Sequence, residues 1–297
     1  MRITQNMLSR NLLSDLQGDM DKLSATQQKL SSGKELTQPS DDPFGTSRAL
    51  QYRADLAQNQ QYQRNVDEAN SWQSVTDTAL SKISDSLLRV RDLVVQGAND
   101  TSGQSARSDI AAEITQLIDS IKAEGNTQYA GRYVFAGSAT TTQPYQMGAS
   151  DTYSGNAEVM KREIGPNVRI DLNQTGITVL GDTNSGLLKT LRTVVADLQA
   201  NNGAALQNTD LKAIDTAVDT ISNAQAVNGA SQNRLQTAGT RLQELEQTAT
   251  QLLSNVEDAD MAKTMVDFST QQAVYQSALR AGAQIIQPSL MDFLASR

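Results

Sequence analysis

Apolar side chains recur at alternating three- and four-residue steps at both ends of this chain. Near the N-terminus the row is Leu13, Leu16, Met20, Leu23 and Leu30, with Gln27 in its one polar slot. Near the C-terminus it is Met261, Met265, Phe268, Tyr275, Leu279 and Ile286, with Gln272 and Gly282 in the remaining slots. Such a/d spacing keeps one narrow stripe on one side of a helix, which is the pattern of a coiled-coil seam. Two seam helices at the two ends predict a chain folded back on itself, with both ends able to share one bundle.

The same periodicity places the elements between them. A first helix, 3–31, stops at Ser31-Ser32-Gly33-Lys34, where Gly33 suits a left-handed cap. An irregular elbow follows at Pro39, Ser40, Asp41, Asp42 and Pro43. Any of its three polar residues can cap the next helix, and Pro43 fits a first turn. The second helix, 44–99, carries Val66, Ala69, Thr76, Leu80, Ile83, Leu87, Val90 and Val94 on its seam, interrupted by Gln73. Trp72 falls one position off that row and is expected on its flank. A third helix, 105–129, carries Ile110, Ile114, Leu117 and Ile121.

Near residue 130 the period changes. Residues 132–136 read as a strand, and 137–154 are loop-forming. Strands at 159–164 and 168–172 flank Gly165-Pro166-Asn167, a plausible hairpin, and 177–180 reads as one more strand. Helices return at 185–200, 207–255 and 260–287, with Pro288 expected to close the last. The 207–255 seam is polar in its middle, at Gln225, Asn228 and Gln232.

The predicted fold is mainly α: an elongated antiparallel helical bundle or coiled coil built from the two halves, with a small β-rich domain inserted at its tip. The expected division is a terminal coiled-coil domain (1–38 with 262–297), a helical bundle (39–130 with 185–261) and the β-rich insertion (131–184). A lone helix with one narrow stripe is marginal in water, so the terminal segments are expected to be poorly ordered until they meet neighbours.

Composition narrows the function. The formal charge of −8 argues against nucleic acid or an anionic membrane as partner. Histidine and cysteine are absent. That removes the commonest general base, thiolate chemistry and the usual zinc ligands. The paired carboxylates Asp41/Asp42 and Asp258/Asp260 sit beside prolines and helix starts, where Asp caps backbone N–H groups, so capping outweighs a metal or acid–base reading. No catalytic residue, metal site or cofactor is therefore expected, and the chain is not expected to be an enzyme. No apolar run approaches the length of a membrane span, about 18 residues. No cleaved signal peptide is expected.

Particular motifs carry a resemblance. They are the start Met1-Arg2-Ile3-Thr4, the run Leu30-Ser31-Ser32-Gly33-Lys34, the elbow Pro39-Ser40-Asp41-Asp42-Pro43, the run Val256-Glu257-Asp258-Ala259-Asp260-Met261-Ala262, and the closing helix from Tyr275 to Leu294. Together these resemble the flagellin family of bacterial flagella, over the first hundred or so residues and the last sixty. The elbow and the start resemble the family's hook–filament junction branch more than its bulk filament subunits. The resemblance implies a secreted structural subunit, exported by the flagellar type III apparatus with a cytosolic chaperone. It implies assembly with copies of itself in a ring in the flagellar axis, between a hook-associated protein and flagellin. The alternatives are a short flagellin, serving as the bulk filament subunit, or a soluble coiled-coil adaptor.

Overall fold

The computed structural model describes residues 5–99 and 103–295. Its long helices follow the apolar rows. In chain order they are α1 (Gln5–Ser32), α2 (Pro43–Ala98) and α3 (Gln104–Gly125). Four short strands come next: β1 (Gln128–Tyr129), β2 (Arg132–Tyr133), β3 (Lys161–Gly165) and β4 (Val168–Asp171). The turn α4 (Gly176–Val179), α5 (Gly186–Gln199), the turn α6 (Gly203–Ala205), a π turn at Leu206–Asp210, α7 (Leu211–Glu257) and α8 (Met261–Ala295) complete the order. The fold is mainly α with a small β region, as the sequence predicts. No described helix is long and apolar enough to cross a membrane.

The chain divides into two compact units: Met1–Gln58 with Glu246–Arg297, and Asn59–Leu245. Helices α2 and α7 contribute residues to both. The second unit holds one continuous apolar core. All eight seam residues predicted on α2 are buried in it or at its edge, from Val66 at 4% exposure to Val94 at 0%, and Gln73 is buried with them. Ile110, Ile114, Ile118 and Ile121 face them from α3, and Leu188, Leu191 and Val194 from α5. Val134, Phe135, Tyr145, Ile164, Ile170 and Leu172 of the β-rich stretch belong to the same core. In this structure 131–184 thus lies within the second unit, together with helices.

Aromatic residues are few, and polar pins inside the core fix its register. Asn228, in the polar middle of α7, is buried and donates Nδ2 to the Gln73 carbonyl at 3.0 Å and to Asp77 Oδ1 at 3.3 Å. Gln73 donates onward to the Leu172 carbonyl at 3.1 Å. An unmade bond at such a site costs more than the bond itself contributes, so a shifted register is penalised.

Several expectations need correction. Residues 132–136 are not one strand. Val134 N still bonds the Thr127 carbonyl at 3.0 Å, and then the backbone turns away: the Phe135 carbonyl accepts from Gly176 N at 2.7 Å and Tyr153 Oη at 2.8 Å. Residues 177–180, read as a strand, form part of the helical turn α4, closed by Leu180 N on the Gly176 carbonyl at 2.7 Å. Tertiary bonds here override β propensity. Trp72 is not on a flank; it is 2% exposed and meets Tyr129 edge-on at 5.9 Å. Pro288 does not close α8, which runs through it to Ala295; a proline removes one ladder donor, and the flanking turns stay helical. The hairpin around Gly165-Pro166-Asn167 forms as predicted, with Asn167 in the left-handed region at φ 59°.

One buried charge cluster fastens the loop before β3 to the helices. Lys122 on α3 is 0% exposed and donates to the Ser150 carbonyl at 3.2 Å, to Asp151 Oδ1 at 3.1 Å and to the Gly148 carbonyl. Arg192 on α5 grips the same carboxylate through Nε at 2.7 Å and Nη2 at 3.0 Å. Burial alone would raise the Asp151 pKa; the bonds from Arg192 and Lys122 outweigh it and hold the carboxyl below its ordinary value. A carboxyl depressed on folding contributes stability that is complete above the unfolded value, about 4, and that is lost as pH falls through the folded value. Asp151→Asn leaves Lys122 buried without its carboxylate and is expected to cost about 3–5 kcal/mol at neutral pH. It should also flatten the acid loss of stability. Urea melts from pH 7 down to pH 3 check both, and wild-type stability at pH 7 in the variant would refute the clamp.

Candidate functional site

The first unit presents a helix pair. Helices α1 and α8 lie against each other. Their contacts run in opposite directions along the two helices. Leu12 meets Gly282, the Tyr275 hydroxyl reaches Met20 Sδ at 3.7 Å, and Thr26 Oγ1 donates to Gln271 Oε1 at 2.7 Å. The pair is therefore antiparallel. A Cβ on Gly282 would come within 2.8 Å of Leu12, so that glycine allows the close approach.

The covered face of each helix is itself a heptad row. On α1 the covered or half-covered positions include Leu12, Leu16, Asp19, Leu23, Thr26 and Leu30. On α8 they are Thr264, Phe268, Gln271, Tyr275, Ala278 and Gly282. The predicted seams share Leu16, Leu23, Leu30, Phe268 and Tyr275 with these rows. Leu13 at 59%, Met20 at 58%, Met265 at 64% and Leu279 at 45% lie one position to the side and are exposed, and Met261, at 47%, continues the covered row into the exposed start of α8. The side chain of Ile286 lies outside the described residues. Beside its covered row each helix thus carries exposed apolar side chains spaced by polar ones, Leu13 and Met20 on α1 and Met265 and Leu279 on α8.

The elbow is built on two carboxylates. Asp41 Oδ2 accepts from Thr37 N at 3.2 Å, Thr37 Oγ1 at 2.9 Å and Gln38 N at 2.9 Å. The Gln38 bond leads the effects that hold its carboxyl below the ordinary value. Asp42 Oδ1 caps α2 through Phe44 N at 3.0 Å. Pro39, Ser40 and Pro43 are exposed around them, and Phe44 stands out at 83% exposure. Among the described residues no three acidic side chains converge as a metal site, and Asp260 caps α8 through Ala262 N and Lys263 N.

Sequence reasoning missed a clasp beside the elbow. Gly33, with φ at +69°, ends α1 and sends the chain into a two-stranded contact with the α7–α8 joint. Glu35 N donates to the Glu257 carbonyl at 2.7 Å, and Ala259 N to the Gly33 carbonyl at 3.0 Å. Over this backbone pairing, Lys34 Nζ lies 2.6 Å from Asp258 Oδ1 and 3.3 Å from Glu257 Oε1, and Arg53 reaches Glu257 as well. Asp258 holds the Lys34 ammonium pKa up, and Lys34 holds the Asp258 carboxyl down. The two runs that carry this contact, Ser31-Ser32-Gly33-Lys34 and Val256-Glu257-Asp258-Ala259, are conspicuous in the sequence. Nothing in their spacing says that they touch.

Comparison with known proteins follows this geometry. A model of the bacterial flagellin N-terminal helical region matches residues 3–140, and one of the C-terminal helical region matches 211–294. The chain is 25% identical over 278 residues to flagellar hook-associated protein 3 of Escherichia coli, covering 86% of this chain and 87% of that protein. It is 27% identical over 286 residues to the flagellar filament 30.7 kDa core protein of Treponema maltophilum, covering 96% and 95%. Its fold resembles the flagellar junction protein FlgL from Legionella pneumophila, with a TM-score of 0.60 at 17% identity over 71% of this chain and 100% of that one.

Glu257 is the shared acceptor of the clasp and is 4% exposed. Glu257→Gln keeps its shape and removes its charge, and is expected to lower the stability of the first unit by about 1–3 kcal/mol. Hydrogen exchange at the Glu35 and Ala259 amides should speed up accordingly. Unchanged exchange at both amides would show that the backbone pairing stands without the ion pairs.

Proposed function

The chain belongs to the bacterial flagellin family, and we propose that it is the structural adaptor joining hook to filament in the flagellum. The observation that carries this reading is the match to hook-associated protein 3, which runs through most of both chains. The elbow Pro39-Ser40-Asp41-Asp42-Pro43 supports it: two prolines fix their own φ and restrict the residues before them, stiffening the turn between α1 and α2. The chain acts by packing and carries no catalytic group. Its neighbours in the flagellar axis are further copies in a ring, a hook-associated protein and flagellin. A cytosolic chaperone holds it before export by the flagellar type III apparatus.

The exposed rows are the assembly surface in this reading. Met20, Met261, Met265 and Leu279 offer flexible or branched apolar side chains to neighbouring helices. The terminal segments 1–38 and 262–297 gain most of their order there, because helix stability comes mainly from covering apolar stripes. A second reading, the bulk filament subunit, is favoured by the match to the Treponema filament core protein, which covers 96% of this chain and 95% of that protein.

Two experiments separate these ideas. Met265→Asp, at an exposed position, should leave the circular dichroism and melting of the monomer unchanged while abolishing incorporation into flagella. Phe268→Asp, on the covered row, should also cost the monomer about 1–3 kcal/mol. If Met265→Asp cells remain fully motile, the exposed row is not the assembly surface. In cells lacking the protein, hooks should still form while flagellin escapes into the medium; in cells that make it, immunogold should mark a short band at the filament base. Label along the whole filament would establish the bulk-subunit reading instead.

A further inference from the structure

A groove in the second unit lies open between the β3–β4 hairpin and α7, with a volume of about 580 Å³. Ile164 and Leu242 are its buried lining, at 4% and 5% exposure, and Val168 and Leu245 are its exposed lining, at 46% and 48%. Arg234 and Arg241 complete it. Both arginines are exposed, and among the described residues neither belongs to an ion pair. Seven residues apart on one helix, they stand on the same side, about 10.5 Å from each other along its axis. An apolar slot flanked by two cations at that spacing is suited to a helix that carries carboxylates two turns apart.

The chain itself carries such a helix face. On α2, Asp85, Leu88, Asp92 and Val95 form an exposed row opposite the core-facing Leu87, Val90 and Val94. Asp85 and Asp92 are also seven residues apart. Leu88 and Val95, at 47% and 49% exposure, are apolar side chains on the solvent side with the same seven-residue repeat. The cations beside this row are committed elsewhere: Arg89 to Glu113 at 2.6 Å and Arg91 to Asp215 at 2.7 Å. Among the described residues neither carboxylate belongs to an ion pair, although Asp92 lies within the field of Arg91, and with the two uncovered apolar groups they are complementary in charge and repeat to the groove.

We propose that α2 of one copy docks in the groove of the next, with Asp85 and Asp92 against Arg234 and Arg241, and Leu88 and Val95 against Val168 and Leu245. The two surfaces differ, so the contact is head-to-tail. A row of any length keeps one free groove at one end and one free helix face at the other, so the contact repeats instead of closing as a two-fold pair. Exposed ion pairs contribute little each, so the apolar pair supplies most of the attraction and the charges set register and direction. The inference rests on the reading of the chain as a subunit that assembles with copies of itself.

The absence of cysteine makes the test direct, because only introduced thiols can cross-link. A chain with Leu88→Cys and Leu245→Cys is expressed in cells lacking the wild type, and restored motility under reducing conditions shows that it assembles. Oxidised flagella from these cells should give a reducible ladder of dimers, trimers and higher multimers on a denaturing gel. Arg234→Glu with Arg241→Glu in that background should cut the ladder about tenfold, and adding Asp85→Lys with Asp92→Lys should restore it. The protein in its place at the filament base with no ladder, or cross-linked to a different protein, overturns the interface and leaves the junction reading intact. A protein absent from the flagellum overturns the junction reading and this inference with it.

Discussion

Water leaves a helix with an apolar stripe unstable until something covers the stripe, and in the first unit the covering is only half done. Helix α1 and helix α8 each carry exposed apolar side chains beside the row that the antiparallel pair covers. Thr26 with Gln271 and Gly282 against Leu12 lock the register of the covered rows, and the Tyr275 hydroxyl reaches Met20 at their edge. Leu13 and Met20 on one helix and Met261, Met265 and Leu279 on the other remain largely in water. Scattered exposed apolar residues are ordinary on protein surfaces, but a repeating row beside an existing seam is a surface awaiting another helix.

The clasp at the base of the pair controls where the two helices start and stop. Gly33 ends one helix and Asp260 begins the other, so the strand-like contact between Lys34 and Asp258 sets their mutual offset. Its carboxylate Glu257 is nearly buried while its cations Lys34 and Arg53 remain partly in water. That arrangement spares the full desolvation of three charges and keeps the directional bonds. The second unit uses a harder version of the same device: Lys122 and Asp151 are buried, with Arg192 half-buried beside them, and the carbonyls of 148 and 150 take the remaining protons of Lys122.

Much of this was legible in the sequence because helices report their own buried side. Every residue placed on the α2 seam is buried, and the polar break at Asn228 marks a buried hydrogen-bond pin. The hairpin at Gly165-Pro166-Asn167 was legible from turn chemistry. The terminal helices were harder. A stripe two rows wide fits two registers one residue apart, and periodicity cannot tell which row the partner within the chain will cover. Contacts between distant segments were not legible at all: nothing near Lys34 points to residue 258, and nothing near Lys122 points to residue 151. Residues 177–180 look like a strand by composition, yet they close a helical turn on the carbonyls of Thr175 and Gly176, and the carbonyl of Phe135, remote in sequence, holds the Gly176 amide at its start.

The central claim is that the terminal helices keep an uncovered row in the monomer and cover it on assembly. Hydrogen exchange read by mass spectrometry on the monomer and on isolated flagella tests it most directly. Amides of α1 and α8 should exchange far more slowly in flagella, while those of the core helices α2, α3 and α5 between residues 59 and 199 change little. Equal protection of α1 and α8 in the two states would contradict the account.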